Sequence, residues 1–129
     1  MTRVAKYLLD TDILIEYIRG RTKAVDYLNQ LTGELMVSVI TVAELYVGTR
    51  SDLERRTLGQ FLSLFASVAV DHRIAVRGAG YRREYMGSHG TGLNDALIAA
   101  TAEVTGASLV TFNQRHFPMV SDLIVPYRR

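Results

Sequence analysis

The sequence predicts an α/β protein, a three-layer α/β/α sandwich around a mostly parallel central sheet. Three observations lead there. Short apolar, β-leaning segments alternate with segments whose apolar residues recur at helical spacing. The chain between successive strands is too long for hairpins, which implies right-handed crossovers and a sheet covered on both faces. Residues 94–105 are apolar or small nearly all round, as in a buried central helix.

The 129 residues, 48% hydrophobic and 22% charged, suffice for one domain, 1–129, with its own core. The absence of cysteine excludes disulfide scaffolds, thiolate zinc sites and thiol nucleophiles together. No apolar run approaches the roughly 20 residues that span a bilayer. Only Tyr7, Leu8 and Leu9 precede Asp10 as an apolar run, too little for a signal peptide, so the expected location is cytoplasmic, with no membrane partner. The net charge is +2, and the fifteen cations are thirteen Arg and two Lys. Arginine forks suit phosphate, although scattered arginines also occur on ordinary solvated surfaces.

Element by element, residues 4–9 read as a strand, followed by the polar turn Asp10-Thr11-Asp12 and a helix marked by Ile13, Leu14, Tyr17 and Ile18. Thr22 opens a second helix with Val25, Leu28 and Leu31 on one face, up to Gly33. Residues 35–40 form the next strand. Thr41-Val-Ala-Glu44 fits a capping box opening a helix to Gly48, and another helix starts near Ser51 with the stripe Leu58, Phe61, Leu62 and Phe65. Residues 68–70 are a short strand. Asp71 caps a helix that should end before the stretch 87–92, rich in glycine. The buried helix 94–105 closes at Gly106, and a strand at 108–110, a short turn at 113–116 and a strand at 123–125 complete the chain.

In such sheets ligands gather at the carboxyl edge of the strands. Asp10, Glu44, Asp95 and Asn113 all fall at or near that edge. Each one also suits a helix N-terminus: Asp10 or Asp12 as a cap, Glu44 in its capping box, Asp95 on a helix dipole, Asn113 capping the last turn. As a set they form a hard-oxygen site suited to Mg²⁺ or Mn²⁺ rather than zinc. A carboxylate opening a buried helix, as Asp95 does, needs a metal or an arginine to offset its desolvation.

The segments 8–15, 39–48, 93–101 and 109–117 resemble, in order, the four motifs of PIN-domain ribonucleases, and are most similar to the VapC toxins of bacterial toxin–antitoxin pairs. The resemblance runs from the first strand to the last. It implies a metal-dependent endoribonuclease, usually dimeric, held inactive by a VapB-type antitoxin. Asp10, Glu44 and Asp95 would be the metal ligands and would act in catalysis with Asn113. At this last motif many relatives place an Asp, where this chain offers Asn113 and His116. Thr11 and Thr111 could bond to the ligands or to a phosphate, or serve as ordinary turn hydroxyls.

Arg73 and Arg77, four residues apart, share a helix face that would either track phosphate or be solvated. The stripe at 58–65 and the face of the first helix would pack the core or offer a groove to a second copy or an antitoxin. His72, His89 and His116 show no metal-pair spacing. Two other functions stay open. One is a PIN-like module that binds RNA or a partner without cutting. The other is a haloacid dehalogenase-like phosphatase, suggested by Asp10-Thr-Asp12 but lacking the lysine such enzymes carry later in the chain.

Overall fold

A computed structural model describes residues 4–129. Side-chain alternation along the strands decides how the layers form. In β1 (Lys6–Leu9), Leu8 faces one side of the sheet and Leu9 the other, both fully buried. Leu8, Met36, Leu109 and Phe117 pack with Ile98, Ala99 and Ala102 of α6 (Leu93–Thr105). Leu9, Val37 and Val110 pack on the other side with Ile13, Leu14, Leu28, Leu45 and Leu58. Those residues come from α1 (Thr11–Ile18), α2 (Thr22–Gln30), α3 (Val39–Val47) and α4 (Asp52–Leu62). The expected three layers are present.

All strand pairs are parallel, in the order β3-β2-β1-β4-β5, with β2 Glu34–Ser38, β3 Ala66–Val68, β4 Ser108–Val110 and β5 Leu123–Ile124. The chain runs outward from β1 through β2 to β3, then crosses back to lay β4 on the other flank of β1. The crevice between β1 and β4 is therefore a topological switch point, where ligands bind in open parallel sheets. Leu9 pairs with Val110, so the residues that follow both strands emerge side by side.

Several boundaries differ from the sequence reading. β2 ends at Ser38 rather than at 40, because the Ser38 hydroxyl accepts the Ile40 N–H at 3.0 Å and starts α3 early. The capping box at Thr41 is thus not formed; Thr41 lies inside α3 and is fully buried. β3 occupies 66–68 instead of 68–70, and β5 stops at Ile124, one residue before the expected end. Helix α6 starts at Leu93, one residue early. Arg21, not Thr22, is the N-cap residue of α2. Phe65 lies beyond the end of α4 but keeps its place in the aromatic stripe, edge-on to Phe61 with ring centroids 5.1 Å apart.

The largest difference is α5 (His72–His89), which runs through Gly87 and closes only at Gly90, in the left-handed region at φ 69°. Glycine lowers helix propensity without forbidding a helix that is packed. Gly78 sits where there is little room for a side chain: a Cβ there would stand 2.7 Å from Leu97 Cδ2 and 3.2 Å from Leu97 Cα, so its absence lets α5 and α6 approach closely.

Candidate active site

Asp10 follows β1 directly and is the N-cap of α1, with one carboxylate oxygen accepting the Thr11 N–H at 2.8 Å. Its other oxygen accepts the Thr111 hydroxyl at 2.8 Å, across the switch point from the residue that follows β4. Asp10 is only 5% exposed. Burial pushes its carboxyl up to about 7; the charge of Asp12 adds to this, and that of Asp95 adds less. The Thr111 hydroxyl and Thr11 N–H pull in the opposite direction without cancelling it.

Thr111 ties the crevice together. Besides serving Asp10, its oxygen accepts the Asn113 N–H at 3.0 Å and lies 3.3 Å from Asp12 Oδ2. That Asp12 oxygen also accepts the Phe112 N–H at 3.0 Å, fastening the first turn of α1 to the loop after β4. The other Asp12 oxygen is buried without a partner among the described residues, and burial raises this carboxyl too.

Glu44 projects from α3, exposed, and accepts the Thr11 hydroxyl at 2.8 Å. The same hydroxyl lies 3.0 Å from that of buried Thr41. Asp95, in the first turn of α6, is less buried than its helix suggested, its side chain being 28% exposed. Its neighbour is neither arginine nor lysine but His116, with Nδ1 at 3.0 Å from Oδ2. His116 Nδ1 also lies 2.7 Å from the side-chain amide of Asn113.

The structure therefore links Asp10 to Thr111 and Asn113, Glu44 to Thr11, and Asp95 to His116 and Asn113. Both threonine hydroxyls are directed at carboxylates, and that of Thr111 also serves its own turn by accepting the Asn113 N–H. Arg77 does not join the group: its guanidinium pairs with Glu103, about 12 Å along α6 from Asp95 at 1.5 Å per residue. Arg73 is exposed on the first turn of α5. Sequence reasoning gave Asp12 only as a cap and left His116 as an alternative to Asn113, without placing either one against its carboxylate or amide partner. The Asn113-x-x-His116 spacing held the clue, because residues three apart eclipse in the 3₁₀ turn Gln114–His116.

Among the described residues no Lys or Arg pairs with Asp10, Glu44 or Asp95. Nor do any three Asp, Glu or His side chains stand close enough, as placed, to hold one ion together. The donors fit a hard divalent cation in kind. The charge of Asp95 reaches Asp10, and Glu44 is held to one side by Thr11.

A switch-point crevice lined by carboxylates from β1, α3 and α6 is the arrangement of a nuclease-type α/β domain. The PIN domain profile matches residues 7–123, and the chain belongs to the PIN-domain family. Within it, the chain is 41% identical over 123 residues to Ribonuclease VapC10 of Mycobacterium tuberculosis, covering 93% of this chain and 92% of that protein. It is 39% identical over 125 residues to Ribonuclease VapC19 of the same organism, covering 93% and 98%. Among solved structures, a toxin–antitoxin complex from Klebsiella pneumoniae superposes with a TM-score of 0.83 at 30% identity, covering 95% of this chain and 99% of that one. VapBC2 from Rickettsia felis, bound to a DNA fragment from its promoter, gives 0.76 at 27% identity, covering 92% and 96%.

Proposed function

We propose that this chain is the toxin of a toxin–antitoxin pair, an endoribonuclease that hydrolyses RNA phosphodiester bonds with Mg²⁺, or Mn²⁺, held by Asp10, Glu44 and Asp95. The observation that carries the reading is Asp10, 5% exposed and without a Lys or Arg partner among the described residues, at the switch point of a PIN-family sheet. Buried carboxylates without a counter-ion are costly, and a divalent cation offsets that cost. Such an ion, when bound, neutralises phosphate, lowers the pKa of a water and stabilises the departing oxygen. The chain's own residues orient the donors: Thr111 fixes Asp10, Thr11 and Thr41 aim Glu44, and His116 holds Asp95. Asn113 sits exposed at the rim, where a substrate phosphate arrives.

The proposed partner is a VapB-type antitoxin. A cavity of about 500 Å³ between α1, α3 and α4 is walled by Ile15, Ile18, Leu53 and Phe61 and reaches Glu44. An amphipathic segment with a basic residue suits it, the apolar side filling the wall and the cation meeting the acidic edge. The chain is further proposed to act in the cytoplasm as a homodimer; among the described residues no helix is long and apolar enough to cross a membrane.

The test is cleavage of a mixed RNA pool with Mg²⁺, with EDTA, and by Asp10→Asn in Mg²⁺. Cutting is expected in the first case alone. Cutting that survives both EDTA and the substitution overturns the metal site. No cutting with any metal favours a non-cleaving binding module, and growth arrest relieved by a co-expressed VapB-type protein supports the pairing.

A further inference from the structure

Asp95, Asn113 and His116 meet at one nitrogen. His116 Nδ1 stands 3.0 Å from Asp95 Oδ2 and 2.7 Å from the Asn113 side-chain amide. An imidazole nitrogen offers, in the ring plane, either one hydrogen or one lone pair. A lone pair would accept from the Asn113 NH₂ but would then face the Asp95 carboxylate oxygen, setting two acceptors against each other. A hydrogen serves both neighbours, provided that the amide turns its oxygen toward the ring. The two ends of an amide are nearly the same size, so a half-turn leaves the packing unchanged.

We propose that His116 is a positioning residue whose Nδ1–H donates to Asp95 and to the Asn113 oxygen. This turns the Asn113 NH₂ outward as a hydrogen-bond donor for an RNA phosphate oxygen. The proposal rests on the ribonuclease reading only for the identity of that acceptor. It reverses the expectation that the Asn113 amide oxygen completes the hard-oxygen set.

The surroundings hold this arrangement. The His116 N–H donates to the Asn113 carbonyl at 3.0 Å, and the buried Thr91 hydroxyl donates to the His116 carbonyl at 2.8 Å. Thr111 accepts the Asn113 N–H, so the backbone of the turn is fastened at both ends. Gly90 flanks the far side of the ring, where a Cβ would stand 3.4 Å from Nε2, at van der Waals distance. Asn113 itself is exposed, so an outward NH₂ meets solvent or ligand instead of being stranded. The chemistry also favours a donor. A rim of carboxylates repels phosphate, and an amide NH₂ adds attraction without adding a further acceptor.

Long-range ¹H–¹⁵N NMR of the metal-free protein, at a pH where the imidazole is neutral, reads the tautomer directly. A pyrrole-type Nδ1 with a pyridine-type Nε2 at His116 is expected. The opposite pattern overturns the proposal, whatever the protein does to RNA, so its failure is separable from failure of the nuclease reading.

Binding supplies the second arm, using a fluorescein-labelled single-stranded RNA of mixed sequence in EDTA and, separately, Mg²⁺ calorimetry. Asn113→Ala should weaken RNA binding about tenfold, the loss of one charge-assisted hydrogen bond, and leave Mg²⁺ affinity unchanged. Weakened Mg²⁺ binding with unchanged RNA binding would overturn the assignment. His116→Asn, whose amide places an N–H near the Nδ1 position, should retain RNA affinity that His116→Leu loses. Equal affinity in those two variants would also overturn it.

Discussion

Replacing Asp10 with asparagine should stabilise the metal-free protein above neutral pH. The wild-type carboxyl is held at about 7 in the folded state against 3.8 in the open chain, chiefly by burial. A group whose folded pKa is raised binds its proton more tightly when folded. Its contribution is fully present below about pH 3.8 and is lost as pH rises to about 7. At 1.36 kcal/mol per pH unit the full loss is about 4 kcal/mol, an upper bound because Asp12 shares the titration. Asparagine keeps an oxygen for the Thr11 N–H, and its NH₂ can donate to the Thr111 oxygen. A net gain of about 2–4 kcal/mol is therefore expected near pH 8, or roughly 10 °C in Tm for a chain of this size. Urea and thermal unfolding in EDTA, followed by circular dichroism from about pH 4 to about pH 8, measure it. The gap between variant and wild type should close toward pH 4. Saturating Mg²⁺ should narrow it at pH 8, since the cation binds the wild-type site. A variant no more stable than wild type at pH 8, or a gap independent of pH, would refute the reasoning.

Three further outcomes are expected. Thr111→Val removes the donor to Asp10 and the acceptor for the Asn113 N–H at a fully buried position, and should cost about 1–3 kcal/mol by urea denaturation. Gly78→Ala forces α5 away from Leu97, an overpacking cost of about 1–3 kcal/mol visible as a lower Tm. Arg77→Ala, which breaks only the exposed cluster of Arg77 with Tyr81 and Glu103, should leave RNA cleavage at the wild-type rate. A clear fall in that rate would place Arg77 back on the substrate path.

Most of the fold could be read from periodicity. Leu8 and Leu9, Met36 and Val37, Leu109 and Val110 are adjacent apolar pairs, which only a strand covered on both faces requires. Where the reading slipped, a tertiary or local competitor was responsible. Ser38 competed successfully with Thr41 for the cap because its hydroxyl was the one free to meet an N–H, while Thr41 was buried against Thr11. Helix α5 outlasted its glycines because packing on α6 outweighs their propensity cost.

For the site, Asp10, Asp95 and Asn113 stood out as candidates because each follows a strand or opens a helix, a local property of the chain, whereas Glu44, expected in a capping box that does not form, lies inside α3. The sequence by itself therefore determined the layered fold, the donor types and the edge at which they lie. Only the tertiary structure decided which of them touch. His116 is 21 residues from Asp95, Thr111 is 101 from Asp10, and Thr11 is 33 from Glu44, so their hydrogen bonds exist only after β1, β2 and β4 align in register. Periodicity records which face a residue takes, whereas contact across the crevice depends on the order in which the strands are laid down.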